Sequence, residues 1–150
     1  MDKHARILVV DDDESIRRTM KAILEDEGYI VDLAATGSEA IQKTKEKAYN
    51  IALLDIRLPD MEGVELLKLI KDTVPHTRKI MVTGYPSMQN AVAALNKNAD
   101  AYLIKPVNVE KLLNTVKEQL QLQEDERRFS EQKVAEFIET RVKELSVNRL

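Results

Sequence analysis

Four short apolar runs in this chain each end on a residue able to handle a phosphate or a hard metal ion. Ile7-Leu8-Val9-Val10 runs into Asp11-Asp12-Asp13, and the run from Ile51 to Leu54 ends on Asp55. Ile80-Met81-Val82 ends on Thr83, and Ala101-Tyr102-Leu103-Ile104 ends on Lys105-Pro106. Carboxylates gathered at one edge repel and raise one another's pKa unless a cation joins them. Mg²⁺ suits such a set, because it takes one or two carboxylates, a carbonyl, waters and a phosphate oxygen, whereas Ca²⁺ wants about 6–8 oxygens. Lys105 adds a positive charge and Thr83 a hydroxyl donor. With a carboxylate as nucleophile, these groups could take up a phosphoryl group, since that transfer asks mainly for positioning and charge neutralisation.

For this chemistry the runs must be strands whose carboxyl ends share one edge, which is where open doubly wound sheets bind ligands. Residues 6–120 meet that requirement by alternating β-branched-rich runs with segments of helical period, the pattern of five βα units around a parallel sheet. The first helix carries Ile16, Met20, Ile23 and Leu24 on one stripe and stops at Gly28, a residue suited to the left-handed conformation. Asp13 reads as the cap that starts it. Thr36-Gly37-Ser38-Glu39 has capping-box spacing and opens a second helix that buries Ala40, Ile41 and Thr44. Asp60 is expected to cap the third, with Val64, Leu67 and Ile70 inward and Pro75 beyond its end. Pro86 suits the first turn of a fourth, carrying Met88, Ala91, Val92 and Leu95. Asn108 is expected to cap a fifth helix striped by Val109, Leu112, Leu113, Val116 and Leu120.

Composition narrows the function classes. The chain has 150 residues, 43% of them hydrophobic and only 4% aromatic, so its core must be aliphatic. A net charge of −3 is too weak to steer the protein to nucleic acid or an anionic membrane by long-range field. With no Cys, and His4 and His76 isolated and read as surface residues, thiolate and zinc sites are excluded and any metal must be held by oxygen. No run approaches the roughly 18 apolar residues of a membrane span, and the amino end lacks an apolar leader, so a cytoplasmic location is expected.

The motifs Ile7-Leu8-Val9-Val10-Asp11-Asp12, Leu54-Asp55-Ile56-Arg57-Leu58-Pro59-Asp60-Met61-Glu62-Gly63, Val82-Thr83-Gly84 and Lys105-Pro106 closely resemble the receiver domain of two-component response regulators over about residues 5–120. That resemblance implies a flavodoxin-like sheet of order 2-1-3-4-5 with five helices. It also implies a signalling module rather than an enzyme. Asp55 would be the phosphoacceptor, and Asp11, Asp12, Asp55 and the backbone carbonyl of Arg57 would hold Mg²⁺, with Mn²⁺ as a substitute. Thr83 and Lys105 would contact the phosphoryl group, and Tyr102 would reorient when Thr83 moves. The Lys105-Pro106 bond would be cis. Arg57 and Tyr85, two residues after the acceptor and the threonine, would screen the phosphoryl group from water and lengthen its life. Gly84 would leave the group room. Implied partners are a histidine kinase or phosphotransfer protein and a downstream protein target, met on the face of the fourth helix, fifth strand and fifth helix.

Two other readings compete. Asp11 and Asp13 also form the Asp-x-Asp of haloacid-dehalogenase-like phosphohydrolases, but that family needs a further acidic pair at a strand end after Lys105, and Asp55 would have no role. A non-phosphorylated scaffold of the same fold would have no need of repelling carboxylates. The division expected is a receiver over residues 1–122 and a helical extension over residues 123–150. In the extension, charge interrupts the apolar stripe before Val134, Phe137 or Ile138, Val142 and Leu145 resume it. Such a tail could pack back on its own domain, pair with a second copy as a homodimer, or lead to a further domain.

Overall fold

A computed structural model describes residues 4–70, 73, 75–84 and 99–148. In chain order the elements are β1 (Arg6–Val10), α1 (Glu14–Asp26), β2 (Ile30–Ala34), α2 (Gly37–Glu46), β3 (Ile51–Asp55), α3 (Gly63–Leu69), β4 (Arg78–Thr83), β5 (Ala101–Ile104) and α4 (Val109–Asn148). All five strands pair in parallel in the order β2-β1-β3-β4-β5, the doubly wound flavodoxin-like arrangement. Four helices, rather than the five expected, lie among the described residues. The helix expected from Pro86 to Leu95 falls outside them, so the helix after the fifth strand is α4 here.

Strand alternation divides the core in two. Ile7 and Val9 of β1 face one side with Met20 and Leu24 of α1 and Leu112, Val116 and Leu120 of α4. Leu8 and Val10 face the other side with Ala40 of α2 and Leu66, Leu67 and Ile70 around α3. β3 is buried along its whole length. Both faces of a parallel sheet are covered in this way, which is why its central strands are continuous apolar runs.

Capping follows the sequence at three helices. Asp13 Oδ1 accepts from the Ile16 amide at 3.2 Å, Thr36 Oγ1 from Glu39 at 3.1 Å, and Asn108 Oδ1 from Lys111 at 3.1 Å. Glu39 closes the box one residue early, accepting from Ala35. Gly28 has φ 96°, as its place after α1 required. Asp60 is the exception. Instead of starting α3, whose N-cap Glu62 makes no side-chain cap bond, it reaches α2 and accepts from the amides of Gly37 and Ser38 at 2.8 and 2.9 Å. The antiparallel bridge between Arg57 and Glu62 folds the β3–α3 loop back on itself and carries Asp60 away from α3.

The lower edge of the sheet, at the strands' amino ends, holds α4 by polar contacts. Gln123 is buried; its Nε2 donates to the carbonyls of Asn50 (3.0 Å) and His76 (2.8 Å), while its Oε1 accepts from Asn50 Nδ2 at 2.9 Å. Arg78 reaches Asp100 at 3.3 Å and Glu126 at 3.1 Å, and Asp100 also meets His76 at 3.1 Å. His76, expected on the surface, is therefore half-buried in this clamp.

Beyond Glu126 the helix leaves the domain. Its resumed stripe, Val134, Phe137, Ile138, Val142 and Leu145, is exposed, so the tail does not pack back on its own domain. The spaced pairs Glu124–Arg128 and Glu139–Lys143 form at 3.2 and 3.5 Å.

Candidate functional site

The order reverses between β1 and β3, since β1 connects outward to β2 and β3 continues towards β5. At such a switch point the connections leave on opposite faces and open a crevice at the carboxyl ends. Asp11 follows β1 and Asp55 ends β3, so the two aspartates flank that crevice. Oxygens of Asp11, Asp12 and Asp55 lie within 4.8 Å of one another. Asp11 and Asp55 are buried and Asp12 is exposed, leaving one side of the cluster open to solvent.

Lys105 arrives from β5 on a cis Lys105-Pro106 bond, and its amide donates to the Thr83 carbonyl at 2.7 Å. Its Nζ lies 2.8 Å from Asp11 Oδ2 and 3.4 Å from Asp55 Oδ1. One ammonium thus serves two buried carboxylates with a third beside them. Burial raises the pKa of Asp55, and the charge of Asp11 raises it further, against the opposing pull of Lys105 and the Arg57 amide. On Lys105 burial works against the charged form, but the hydrogen bond and charge of Asp11, followed by Asp55, outweigh it and leave its pKa raised. The site is under-compensated, and its oxygen-only donors suit a hard divalent cation.

Asp11 is held in place by the Asp13 amide, which donates to its carboxylate at 2.9 Å, while Arg17 donates to its carbonyl at 2.7 Å. Asp13 itself is engaged as the α1 cap and stands outside the three-carboxylate cluster. The Asp11/Asp13 pair required of a dehalogenase-like site is therefore divided between two tasks.

Thr83 ends β4 fully buried, and Tyr102 on β5 is half-buried against the cluster of α2 and α3. Arg57 is exposed at the start of the β3–α3 loop. Tyr85 lies outside the described residues. An added Cβ at Gly84 would stand 3.8 Å from the Lys105 side chain, an ordinary contact, so the space there admits at least a methyl group.

Gly63 is a site residue whose role the motif alone did not reveal. A Cβ there would fall 2.3 Å from the Asp55 carbonyl oxygen, and its amide donates to Ile56 at 2.7 Å. Only glycine lets α3 begin this close to the strand bearing Asp55. Its place eight residues after Asp55, at the end of an apolar and acidic loop, was the available signal.

Residues 7–117 match the family model of the response regulator receiver domain. The transcriptional regulatory protein ZraR of Klebsiella oxytoca is 44% identical over 114 residues, covering 76% of this chain and 26% of that protein. This chain thus spans about a quarter of the length of that relative. Among solved structures, a CheY-like response regulator receiver domain protein from Methanospirillum hungatei JF-1 is 52% identical with a TM-score of 0.76, covering 82% of this chain and 98% of the other. TrrA from Thermotoga maritima, solved in complex with Mg²⁺-BeF, is 34% identical with a TM-score of 0.69, covering 77% and 98%. With the match running over most of the chain and the sheet order and edge cluster in agreement, this chain belongs to the response regulator receiver domains of two-component systems.

Proposed function

We propose that Asp55 accepts a phosphoryl group from a histidine kinase or phosphotransfer protein, and that the modified domain acts as a switch on a downstream protein. The observation that supports this most is the clustering of Asp11, Asp12 and Asp55 at the switch point, with Lys105 paired to Asp11 and Asp55. An Asp55 oxygen attacks phosphorus, the phosphorus–nitrogen bond to the donor imidazole breaks, and the electron pair leaves with the imidazole. Mg²⁺ or Mn²⁺, when bound, neutralises the charge gathered on the carboxylates and the phosphoryl oxygens. Asp11, Asp12, Asp55 and the Arg57 carbonyl would hold it. Asp55 gives up part of its interaction with Lys105 as it becomes an acyl phosphate, and Lys105 pairs with the phosphoryl group instead. Thr83 donates its hydroxyl to a phosphoryl oxygen, and Tyr102 follows into the space that Thr83 vacates. Arg57 and Tyr85 cover the group against water.

Residues 1–122 act as the receiver unit, with residues 123–126 joined to it through the clamp, and residues 127–150 serve as an output extension. The carboxylate set and the absence of a span among the described helices fit work in the cytoplasm. Incubation with a small-molecule phosphodonor and Mg²⁺ should raise the intact mass by one phosphate in the wild type and not in Asp55→Asn. No gain, or a gain that survives in Asp55→Asn, overturns the reading. An Arg57→Ala, Tyr85→Ala variant should lose the phosphoryl group faster; an unchanged lifetime removes the screening role.

A further inference from the structure

The β3–α3 loop is fastened at its base, its middle and its tip. At the base the Gly63 amide donates to the Ile56 carbonyl at 2.7 Å, and midway the Leu58 amide donates to the Met61 carbonyl at 3.1 Å, beside the Arg57–Glu62 bridge. At the tip Asp60 crosses to α2. Its Oδ1 accepts from the Gly37 amide at 2.8 Å, and its Oδ2 from the Ser38 amide at 2.9 Å and the Ser38 hydroxyl at 2.8 Å. Those two amides open α2, where no partner exists within the helix, and a negative charge suits that end of it. Met61 follows Asp60 onto the same turn. It fills the space beside buried Gly37, where an added Cβ would collide with its Sδ.

The contacts at the base and middle shape the loop as a small hairpin, but a hairpin held only there can swing about its base. The contact at the tip removes that freedom. The Leu58 amide and the Arg57 carbonyl belong to one planar trans peptide and point to opposite sides of it. Whatever fixes the Met61 carbonyl, which the Leu58 amide meets, therefore also fixes the Arg57 carbonyl. The Arg57 amide, on the preceding peptide, is turned to the Asp55 carboxylate.

We propose that Asp60 is a positioning residue of the metal site: by fastening the loop tip to α2, it holds the Arg57 carbonyl in the direction that binding Mg²⁺ requires. The inference rests on the reading above in which that carbonyl is a ligand. Asp60 itself stands outside the three-carboxylate cluster, and both its oxygens are engaged by α2. A ligand held ready binds a metal more tightly than one that must be ordered on binding, which is how groups outside the coordination shell tune affinity. In this way α2, which gives no side chain to the cluster, governs how well the cluster takes its ion. Thr36 provides the contrast, because its hydroxyl at the same helix end serves the Glu39 amide rather than the loop.

An NMR titration of the metal-free full chain with MgCl₂, read at the amides around Asp11 and Asp55, gives the Mg²⁺ Kd while the protein stays folded. Asp60→Ala should raise that Kd about tenfold, the usual scale for losing a support of a metal ligand. Asp60→Asn, which keeps one acceptor for two amides, should fall between. Thr36→Ala removes a cap from the same helix end, so it should lower the melting temperature yet leave the Kd unchanged. Without metal, the Leu58 amide should exchange its hydrogen faster in Asp60→Ala than in the wild type or Thr36→Ala. An unchanged Kd in Asp60→Ala, an equal weakening by Thr36→Ala, or unaltered Leu58 exchange overturns the inference. Asp12→Asn separates it from the reading beneath it. If Asp12→Asn weakens Mg²⁺ binding while Asp60→Ala does not, the metal site stands and only the role of Asp60 falls; if Asp12→Asn binds as the wild type does, both fall.

Discussion

The two edges of the same sheet carry the same kinds of side chain and settle them in opposite ways. At the lower edge the charges of the clamp meet complements within the chain: Arg78 takes Asp100 and Glu126, and the Gln123 amide spends both ends on Asn50 and His76. At the upper edge Asp11 and Asp55 share one ammonium, with the Asp12 carboxylate beside them. A polar cluster that closes on itself holds structure; one left in charge deficit is prepared for something not yet there. Composition does not separate the two edges, and internal balance does.

Lys105→Met should show the largest effect, because it leaves Asp11 and Asp55 buried with no cation. A loss of about 3 kcal/mol at neutral pH is expected in urea titrations, mostly recovered in millimolar Mg²⁺. A loss that Mg²⁺ leaves untouched would place the upper edge among ordinary structural clusters.

Gln123→Ala should cost about 2 kcal/mol by stranding the carbonyls of Asn50 and His76, with no dependence on Mg²⁺. If Mg²⁺ restored this loss as well, the contrast between the edges would fail.

Asp55→Asn should instead stabilise the metal-free protein, by on the order of 1 kcal/mol, because one of the repelling charges goes. A melting temperature equal to or below that of the wild type would contradict the claim of charge deficit.

The pH dependence is the finest of these contrasts. Asp55 has its folded pKa raised above 3.8, so over the interval between the two values the folded state holds the extra proton. Wild-type stability, relative to Asp55→Asn, should therefore fall as pH rises through that interval and stay lower above it. Lys105, also raised, contributes stability that is complete below its ordinary value of 10.5 and is lost as pH climbs through the higher folded one. Parallel unfolding curves for the wild type and Asp55→Asn from pH 3 to 8 would remove the Asp55 effect.

The upper edge was legible because its signals are local. An apolar run ending on Asp55 or Lys105 states a strand and its terminal group together, and Thr36 to Glu39 states a cap within four residues. Asp60 was misjudged because it stands three residues before α3 yet bonds Gly37 and Ser38, more than twenty residues back. Gln123 reads as a surface residue until the bare carbonyls below the sheet are seen to need its amide. The charges of residues 123–133 left open whether the helix continues or a second one begins, since continuity is a matter of azimuth rather than of composition, and the structure shows one helix. Tyr85 and the expected fourth helix belong to residues outside the described part.

The forty residues of α4 run without interruption from the carboxylate-bearing edge, past the clamp, to a point well clear of the sheet. Such a rod is a mechanical lever with its fulcrum at Gln123. A tilt of about 10° there sweeps the far end through roughly 6 Å, given a free arm of about 33 Å. A small rearrangement at one end of the molecule would thereby become a displacement of several ångströms at the other.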